Sequence, residues 1–139
     1  MQIFIVGSIF ETIQALDKKR FWKQILETRQ ILNAIKGIST GWKNHPIVDM
    51  YREYIKWLEL YLLAFEAYRI GDLEKAIILS DEAEKFKPMF LNCVEYIENM
   101  KRRLYTKDKE YYSQWASLGE SKTNYYYING TWKEYVQQK

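Results

Sequence analysis

Residues 17–54 decide the fold, and they read Asp17-Lys18-Lys19-Arg20-Phe21-Trp22-Lys23-Gln24-Ile25-Leu26-Glu27, then Gln30-Ile31-Leu32, and later Gly41-Trp42-Lys43-Asn44-His45-Pro46. If residues 17–36 form a helix, one stripe of it is mainly apolar at three- and four-residue spacing: Phe21, Ile25, Thr28, Leu32 and Ile35. The neighbouring stripe is mixed and carries Arg20, Gln24, Glu27 and Ile31. It therefore places an arginine and a carboxylate among apolar neighbours.

Two interpretations of Arg20 and Glu27 follow from this stripe. Charged side chains are rarely fully buried unless they are paired. The first interpretation is a structural contact between the two that holds helices together. The second is a functional carboxylate in a basic pocket. The residues alone leave both interpretations open.

The composition predicts one domain that spans residues 1–139 and has its own core. The chain is 47% hydrophobic and 17% aromatic, which excludes a disordered protein. A single cysteine excludes an intramolecular disulfide framework. One cysteine and one histidine cannot form a closed Cys/His zinc site. We expect no metal and no cofactor.

Membrane insertion is not indicated by any stretch of the sequence. The most apolar segment, residues 57–65, carries Glu59, and no window reaches the roughly 18 apolar residues of a membrane span. The apolar run at residues 3–6 is short and no basic residue precedes it, unlike a secretory signal. We therefore expect a soluble, cytoplasmic protein that does not bind a membrane.

Charge is distributed unevenly along the chain. Residues 1–45 carry seven Lys/Arg against three Asp/Glu, and residues 101–139 carry eight against four, so each end has a balance of +4. Residues 46–100 carry six against eleven, a balance of −5. If the two ends meet in space, they form a basic face that can bind phosphates. The alternative is that these lysines only solvate helix surfaces.

Helix signals and breakers alternate along most of the chain. Residues 2–7 are expected to be extended, and the capping-box pattern from Ser8 to Glu11 predicts a helix at 9–16. A second helix is predicted at 17–36, with Asp17 as its cap and Gly37 as its stop, and a third begins at Pro46 and meets no breaker until Gly71. Three more helices are predicted at 73–86, from Met89 to Tyr105, and at 107–115 with Thr106 as cap. The sequence predicts an all-α domain of five or six helices.

The C-terminal tail has a different pattern. Asn129-Gly130 stands between Tyr125-Tyr126-Tyr127-Ile128 and Thr131-Trp132-Lys133-Glu134-Tyr135, which predicts a short β-hairpin with a type I′ turn. Aromatic residues interleaved with lysine can stack on bases or cover the edge of a core. We favour the second role for most of them.

The ordered set of residues resembles the pyrimidine-dimer DNA glycosylase family, called endonuclease V in bacteriophages. The resemblance rests on Leu16-Asp17-x-Lys19-Arg20-x-x-Lys23-Gln24-x-x-Glu27-x-x-Gln30-Ile31-Leu32 and on Gly41-Trp42-x-Asn44-His45-Pro46-x-Val48-x-Met50. It continues more weakly in Lys101-x-Arg103-Leu104-Tyr105-x-Lys107-Asp108 and in Tyr111-Tyr112. It implies a small, mainly helical DNA-repair enzyme that combines base removal with strand cleavage.

The resemblance also implies a set of catalytic residues. The family's nucleophile is the N-terminal α-amine, which forms a Schiff base with the damaged nucleotide. The chain begins Met1-Gln2, and because glutamine is bulky we expect Met1 to be retained with its own amine as nucleophile. The carboxylate that stabilises the oxocarbenium-like centre corresponds to Glu27. His45 matches a polar residue near the lesion, although helix capping explains it equally well.

The remaining candidates are expected to bind DNA: Arg20, Lys19, Lys23, Trp42, Asn44, Lys101 and Arg103. As an alternative role, Trp42 can pack within the loop, and the lysines can be solvated surface charges that do not contact DNA. A catalytically silent relative that binds a nucleotide, DNA or a partner protein is the alternative function. A third possibility is a helical module that binds a protein through the acidic face of residues 72–86. The sequence does not indicate an oligomeric state.

Overall fold

Six α-helices and a two-stranded hairpin make up most of residues 1–136, the part of the chain that this computed structural model describes. The helices are α1 (Ile9–Ala15), α2 (Lys18–Ile35), α3 (Pro46–Tyr51), α4 (Ile55–Arg69), α5 (Leu73–Ala83) and α6 (Val94–Lys107). Short 3-10 helices cover Glu84–Phe86, Met89–Asn92 and Ser113–Leu118. The strands are β1 (Thr123–Ile128) and β2 (Thr131–Val136). The predicted mainly helical fold with a C-terminal hairpin is confirmed. None of the helices in residues 1–136 has the length and apolar character to span a bilayer.

Two helix starts form as the sequence predicts. The Ser8 hydroxyl accepts a hydrogen bond from the Glu11 N–H, and the Glu11 carboxylate accepts one from the Ser8 N–H, which completes the capping box of α1. Pro46 occupies the first turn of α3, where its missing N–H costs no helical hydrogen bond. Gly37 follows α2 with a φ of 75°, as expected of a glycine stop.

The uninterrupted helix predicted from Pro46 to Gly71 is wrong, because a turn at residues 52–54 divides it into α3 and α4. In a continuous helix Tyr51 and Trp57 would lie about 120° apart around the axis and could not stack. The turn lets both rings enter the core, where they stack with centroids 5.7 Å apart and are 0% and 1% exposed. Burial of two large aromatic side chains outweighs the helical hydrogen bonds lost at the turn.

Two further helices are shorter as α-helices than the sequence predicts. The helix predicted at 73–86 leaves α-helical geometry after Ala83 and ends in a 3-10 turn. The helix predicted from Met89 to Tyr105 begins as a 3-10 turn, and its α-helical part extends to Lys107. The longer C-terminal end of α6 matters because it carries Lys107 toward the site described below.

The predicted cap at Thr106 and the helix at 107–115 are both wrong. Thr106 lies inside α6, where its hydroxyl donates to the Arg102 carbonyl (2.7 Å) and accepts from the Ser121 N–H (2.8 Å). A hydroxyl that already has these partners cannot cap a new helix. The chain continues through a turn into the 3-10 helix Ser113–Leu118.

The hairpin turns at Asn129-Gly130, as predicted. Both residues have positive φ, 51° and 76°, which a type I′ turn requires. The strands pair antiparallel from Thr123–Val136 at the open end to Ile128–Thr131 beside the turn. Tyr126 of β1 is 3% exposed within the core, whereas β2 faces solvent. This agrees with the core-edge role for the aromatic side chains of β1.

The N-terminal segment runs through the core rather than over its surface. Ile3, Phe4 and Ile5 are at most 4% exposed and belong to the same apolar cluster as Tyr61 of α4. Because this segment is neither helix nor strand, its buried N–H and C=O groups need partners from elsewhere in the molecule. Side chains from α2, α4 and the hairpin supply several of them and hold Met1 at the rim of a cavity.

Candidate active site

A cavity of about 300 Å³ opens where the N-terminal segment, α2, the end of α6 and the hairpin meet. Its lining residues are Met1, Gln2, Phe4, Lys19, Arg20, Lys23, Gln24, Glu27, Arg103, Lys107, Asn124, Tyr135 and Val136. Six of the ten side chains proposed from sequence are among them, including both Met1 and Glu27. The two basic ends of the chain therefore converge at this cavity.

Gln24 fixes the N-terminal segment against α2. Its side-chain oxygen accepts from the Phe4 N–H (2.8 Å) and lies 2.8 Å from the Tyr61 hydroxyl. Its side-chain nitrogen donates to the Gln2 carbonyl (2.9 Å) and to the Glu27 carboxylate (3.3 Å). The amide is 1% exposed, so these bonds are made in a dry environment where they restrict motion most. One side chain thus positions the terminal backbone and the carboxylate together.

The hairpin supplies a second set of restraints on the terminus. The Tyr126 hydroxyl donates to the Met1 carbonyl (3.0 Å). The Asn124 side-chain oxygen accepts from the Gln2 amide (2.7 Å) and from the Arg103 Nε (2.9 Å). Asn124 therefore links the beginning of the chain to α6. The sequence predicted the hairpin but not these contacts, which depend on how the hairpin docks.

The Met1 α-amine has a pKa below its ordinary value of 8.0. Partial burial is the main cause, Glu27 opposes it, and the positive charges of Lys107, Arg103 and Lys23 lower the pKa further. A lower pKa enlarges the neutral fraction of the amine at pH 7. The neutral form is the nucleophilic one.

Glu27 does not form the structural pair with Arg20 that the sequence left open. Arg20 instead contacts the Asp17 carboxylate at 3.2 Å, and Asp17 also accepts a hydrogen bond from the Tyr112 hydroxyl. These contacts explain why Asp17, at the N-cap position of α2, makes no capping bond, contrary to prediction. The Glu27 carboxylate is left with the Gln24 amide as its hydrogen-bond partner among residues 1–136 and faces the cavity.

The cavity wall is strongly cationic. Its side chains include one carboxylate, Glu27, against five cations: Lys19, Arg20, Lys23, Arg103 and Lys107. Such a wall attracts phosphate groups, and the fixed carboxylate can stabilise a positive charge that develops nearby. Lys107 was not among the site residues predicted from the sequence. It stands four residues after Arg103 and so on the same face of α6, a spacing that would have indicated it.

His45 is not part of the cavity wall but lies near the Met1 amine. Its ring makes an edge contact with Tyr126 (centroids 5.8 Å apart), the side chain that holds the Met1 carbonyl. The Nδ1 atom accepts from the Ile47 N–H (3.1 Å), so His45 is the N-cap of α3. Burial, and then the charge of the nearby terminal amine, lower the pKa of this imidazole. Helix capping and packing against aromatic rings account for its observed contacts.

Trp42, Asn44 and Lys101 lie outside the cavity. Trp42 packs edge-on against His45 (centroids 5.6 Å apart), and it and Asn44 are exposed in the loop before α3. Lys101 lies on another face of α6 from Arg103, with its ammonium 6.0 Å from the Trp115 ring centre. The structure therefore does not bring Lys101 together with the other cations. No group of three His, Cys, Asp or Glu side chains within residues 1–136 is arranged to hold a metal ion.

The fold and the cavity define a mainly helical protein with an amine, a carboxylate and a cationic wall at one site. Residues 1–67 match the family model described as pyrimidine dimer DNA glycosylase. The resemblance to that family is thereby confirmed over just under half of the 139 residues. Comparison with curated proteins and with solved structures gave no significant match. Met1, Glu27 and His45 lie within the matched part, whereas Arg103 and Lys107 lie beyond it.

Proposed function

We propose that this protein is a DNA-repair glycosylase with associated strand cleavage that acts on a damaged base. The observation that carries the proposal is the shared cavity of the Met1 α-amine and Glu27, enclosed by cations. The match of residues 1–67 to the pyrimidine dimer DNA glycosylase model supports the substrate class. The resemblance supplies the order of the chemical steps.

In the proposed reaction the neutral Met1 amine attacks C1′ of the damaged nucleotide. The glycosidic bond breaks and its electron pair leaves with the base. The Met1 nitrogen loses a proton to solvent, and the departing base takes up a proton from solvent. Opening of the sugar ring gives an imine between Met1 and C1′. Loss of the C2′ proton then expels the 3′ phosphate and breaks the strand. The Glu27 carboxylate stabilises the cationic character at C1′ during these steps.

The cationic wall binds the phosphates on both sides of the lesion. Lys19 and Lys23 are exposed on α2, where their ammonium groups can meet a DNA backbone without losing an existing ion pair in the described structure. Arg103 is 4% exposed and is hydrogen-bonded to Asn124, so it serves as a fixed charge in the wall. Phosphate contacts of this kind position DNA but do not read its sequence.

Covalent trapping tests the proposal. Wild-type protein is incubated with ultraviolet-irradiated duplex DNA and borohydride, which reduces an imine to a stable adduct. We expect an adduct with irradiated duplex and none with undamaged duplex. Glu27→Gln keeps the shape of the side chain and the Gln24 contact, so we expect it to retain DNA binding and lose strand cleavage.

The competing function is a silent relative that binds DNA, a nucleotide or a partner protein. It predicts affinity for DNA or protein without an adduct under any of these conditions. DNA binding with neither base release nor trapping by wild-type protein would therefore reject the glycosylase. If Glu27→Gln unfolded the protein, the carboxylate would be structural and its catalytic role would be abandoned.

A further inference from the structure

Four primary amines line the cavity that holds Glu27: the Met1 α-amine and the side chains of Lys19, Lys23 and Lys107. Lys107 is the last residue of α6, and its side chain forms part of the cavity wall. No carboxylate in residues 1–136 lies within ion-pair distance of its ammonium. Lys19 and Lys23 in the same wall are likewise without such a pair in residues 1–136, whereas lysines outside the cavity form them: Lys36 with Glu59, Lys85 with Glu82, and Lys109 with Glu120. The Lys107 amine is therefore available to a molecule in the cavity.

Partial burial, together with the neighbouring cations, shifts the pKa of Lys107 toward its neutral form. Partial desolvation is the main cause that lowers the pKa of Lys107 below its ordinary value of 10.5, and the cations Arg103, Arg20 and Lys23 lower it further. Glu27 is the opposing charge. An amine desolvated beside other cations is a recognised way to make a nucleophilic lysine. This environment results from the convergence of α2 and α6 on one cavity.

We propose that the Lys107 Nζ is a second nucleophilic amine of this site, which forms a Schiff base with the C1′ aldehyde of an abasic deoxyribose. The inference rests on the proposed function and deepens it. The Met1 amine would open the reaction on the damaged nucleotide. Lys107 would capture abasic DNA from the α6 side, whether that DNA is released from Met1 or met as a lesion in its own right.

The step balances without any further reactant. The neutral Lys107 amine adds to the aldehyde carbon. The carbonyl oxygen receives the electron pair of the broken C=O π bond and takes up a proton to become a hydroxyl. Loss of water then leaves a C=N bond. A proton from solvent converts the imine to an iminium. Loss of the C2′ proton then forms the C2′–C3′ double bond, and the 3′ phosphate departs with the electron pair of the C3′–O bond.

Adduct mapping tests the inference. The protein is incubated with a duplex that contains one abasic site, reduced with borohydride and digested, and the modified peptides are identified by mass spectrometry. We expect modified peptides containing Met1 and containing Lys107. Lys107→Arg keeps the positive charge but removes the nucleophilic amine, so the second adduct should be lost. Lys109→Arg is the matched control, since Lys109 is two residues away and paired with Glu120.

A variant extended by two residues before Met1 completes the design, because it moves the terminal amine away from the cavity. Thermal unfolding checks that the extended protein is folded. We expect this variant to be trapped through Lys107, and the extended protein that also carries Lys107→Arg to be trapped no longer. If a folded extended protein gave no adduct, or if Lys107 were modified no more than Lys109, the inference would be overturned while the proposed function stood.

The other outcomes are equally decisive. Adducts on Lys107 without any on Met1 would support the inference and reject Met1 as the nucleophile of the proposed function. Absence of an adduct from every form of the protein, with both irradiated and abasic duplexes, would overturn both.

Discussion

Replacing Gln24 with methionine tests how the terminal segment is held. Methionine has nearly the same length as glutamine but cannot bond to backbone groups. In the variant the Phe4 N–H and the Gln2 carbonyl lose their observed partners, while the Tyr61 hydroxyl keeps the Phe4 carbonyl at 2.7 Å. Each buried group left unpaired costs about 1–3 kcal/mol, so we expect a loss of roughly 2–6 kcal/mol in the free energy of unfolding.

Urea denaturation measures this loss. With a slope of about 2 kcal/mol per molar urea, the midpoint should fall by roughly 1–3 M while the slope is unchanged. Gln30→Met is the matched control, because Gln30 lies on the same helix and makes no side-chain hydrogen bond in the described structure; its midpoint should change little. A Gln24→Met midpoint equal to that of wild type would refute the role of this amide in fixing the terminus.

Three further predictions concern charge, pH and the hairpin turn. Lys23→Gln should flatten the log–log salt dependence of DNA affinity by about 0.9 if Lys23 neutralises one phosphate; an unchanged slope would remove Lys23 from the interface. Because the pKa of His45 is lowered in the folded protein, the folded state favours the neutral imidazole. The resulting contribution of His45 to the free energy of unfolding is complete above pH 6.5 and is lost as pH falls through the folded-state pKa. His45→Asn keeps a capping side chain and should weaken this acid sensitivity in unfolding measurements between about pH 8 and 5; identical pH profiles would contradict it. Gly130→Ala should cost about 1–2 kcal/mol of stability because alanine disfavours a φ of 76°, although no atom lies within 4 Å of the added Cβ. Gly41→Ala, whose φ is not positive, should be nearly neutral, and equal effects of the two changes would refute this explanation.

The features that the sequence predicts correctly are those with a local cause. The capping box joins Ser8 and Glu11 over three residues, and the Asn129-Gly130 turn is set by two residues that accept positive φ. The resemblance supplied Met1 and Glu27 as partners, and the structure places both on one cavity. No local pattern in the sequence could have brought them together, since the terminal segment has no regular periodicity.

The errors arise where long-range packing overrides local preference. The turn at residues 52–54 contains neither glycine nor proline, and it forms because Tyr51 and Trp57 gain a shared place in the core. Asp17 has a suitable side chain for capping α2, yet its carboxylate is taken by Tyr112, 95 residues away, and by Arg20. Periodicity and capping rules describe one helix at a time, so they could not predict either contact.

The way the terminal segment is held links the chemistry to the completeness of the fold. The segment has no strand partner of its own, so Gln24 of α2 binds its backbone on one side. On the other side, Tyr126 and Asn124 of the hairpin bind Met1 and Gln2 from more than 120 residues away. The restraints on the Met1 amine therefore come partly from the family-matched residues 1–67 and partly from the hairpin. A chain that has not yet formed its hairpin holds its terminal amine less firmly, and the proposed nucleophile is fully positioned only when both ends of the chain have folded together.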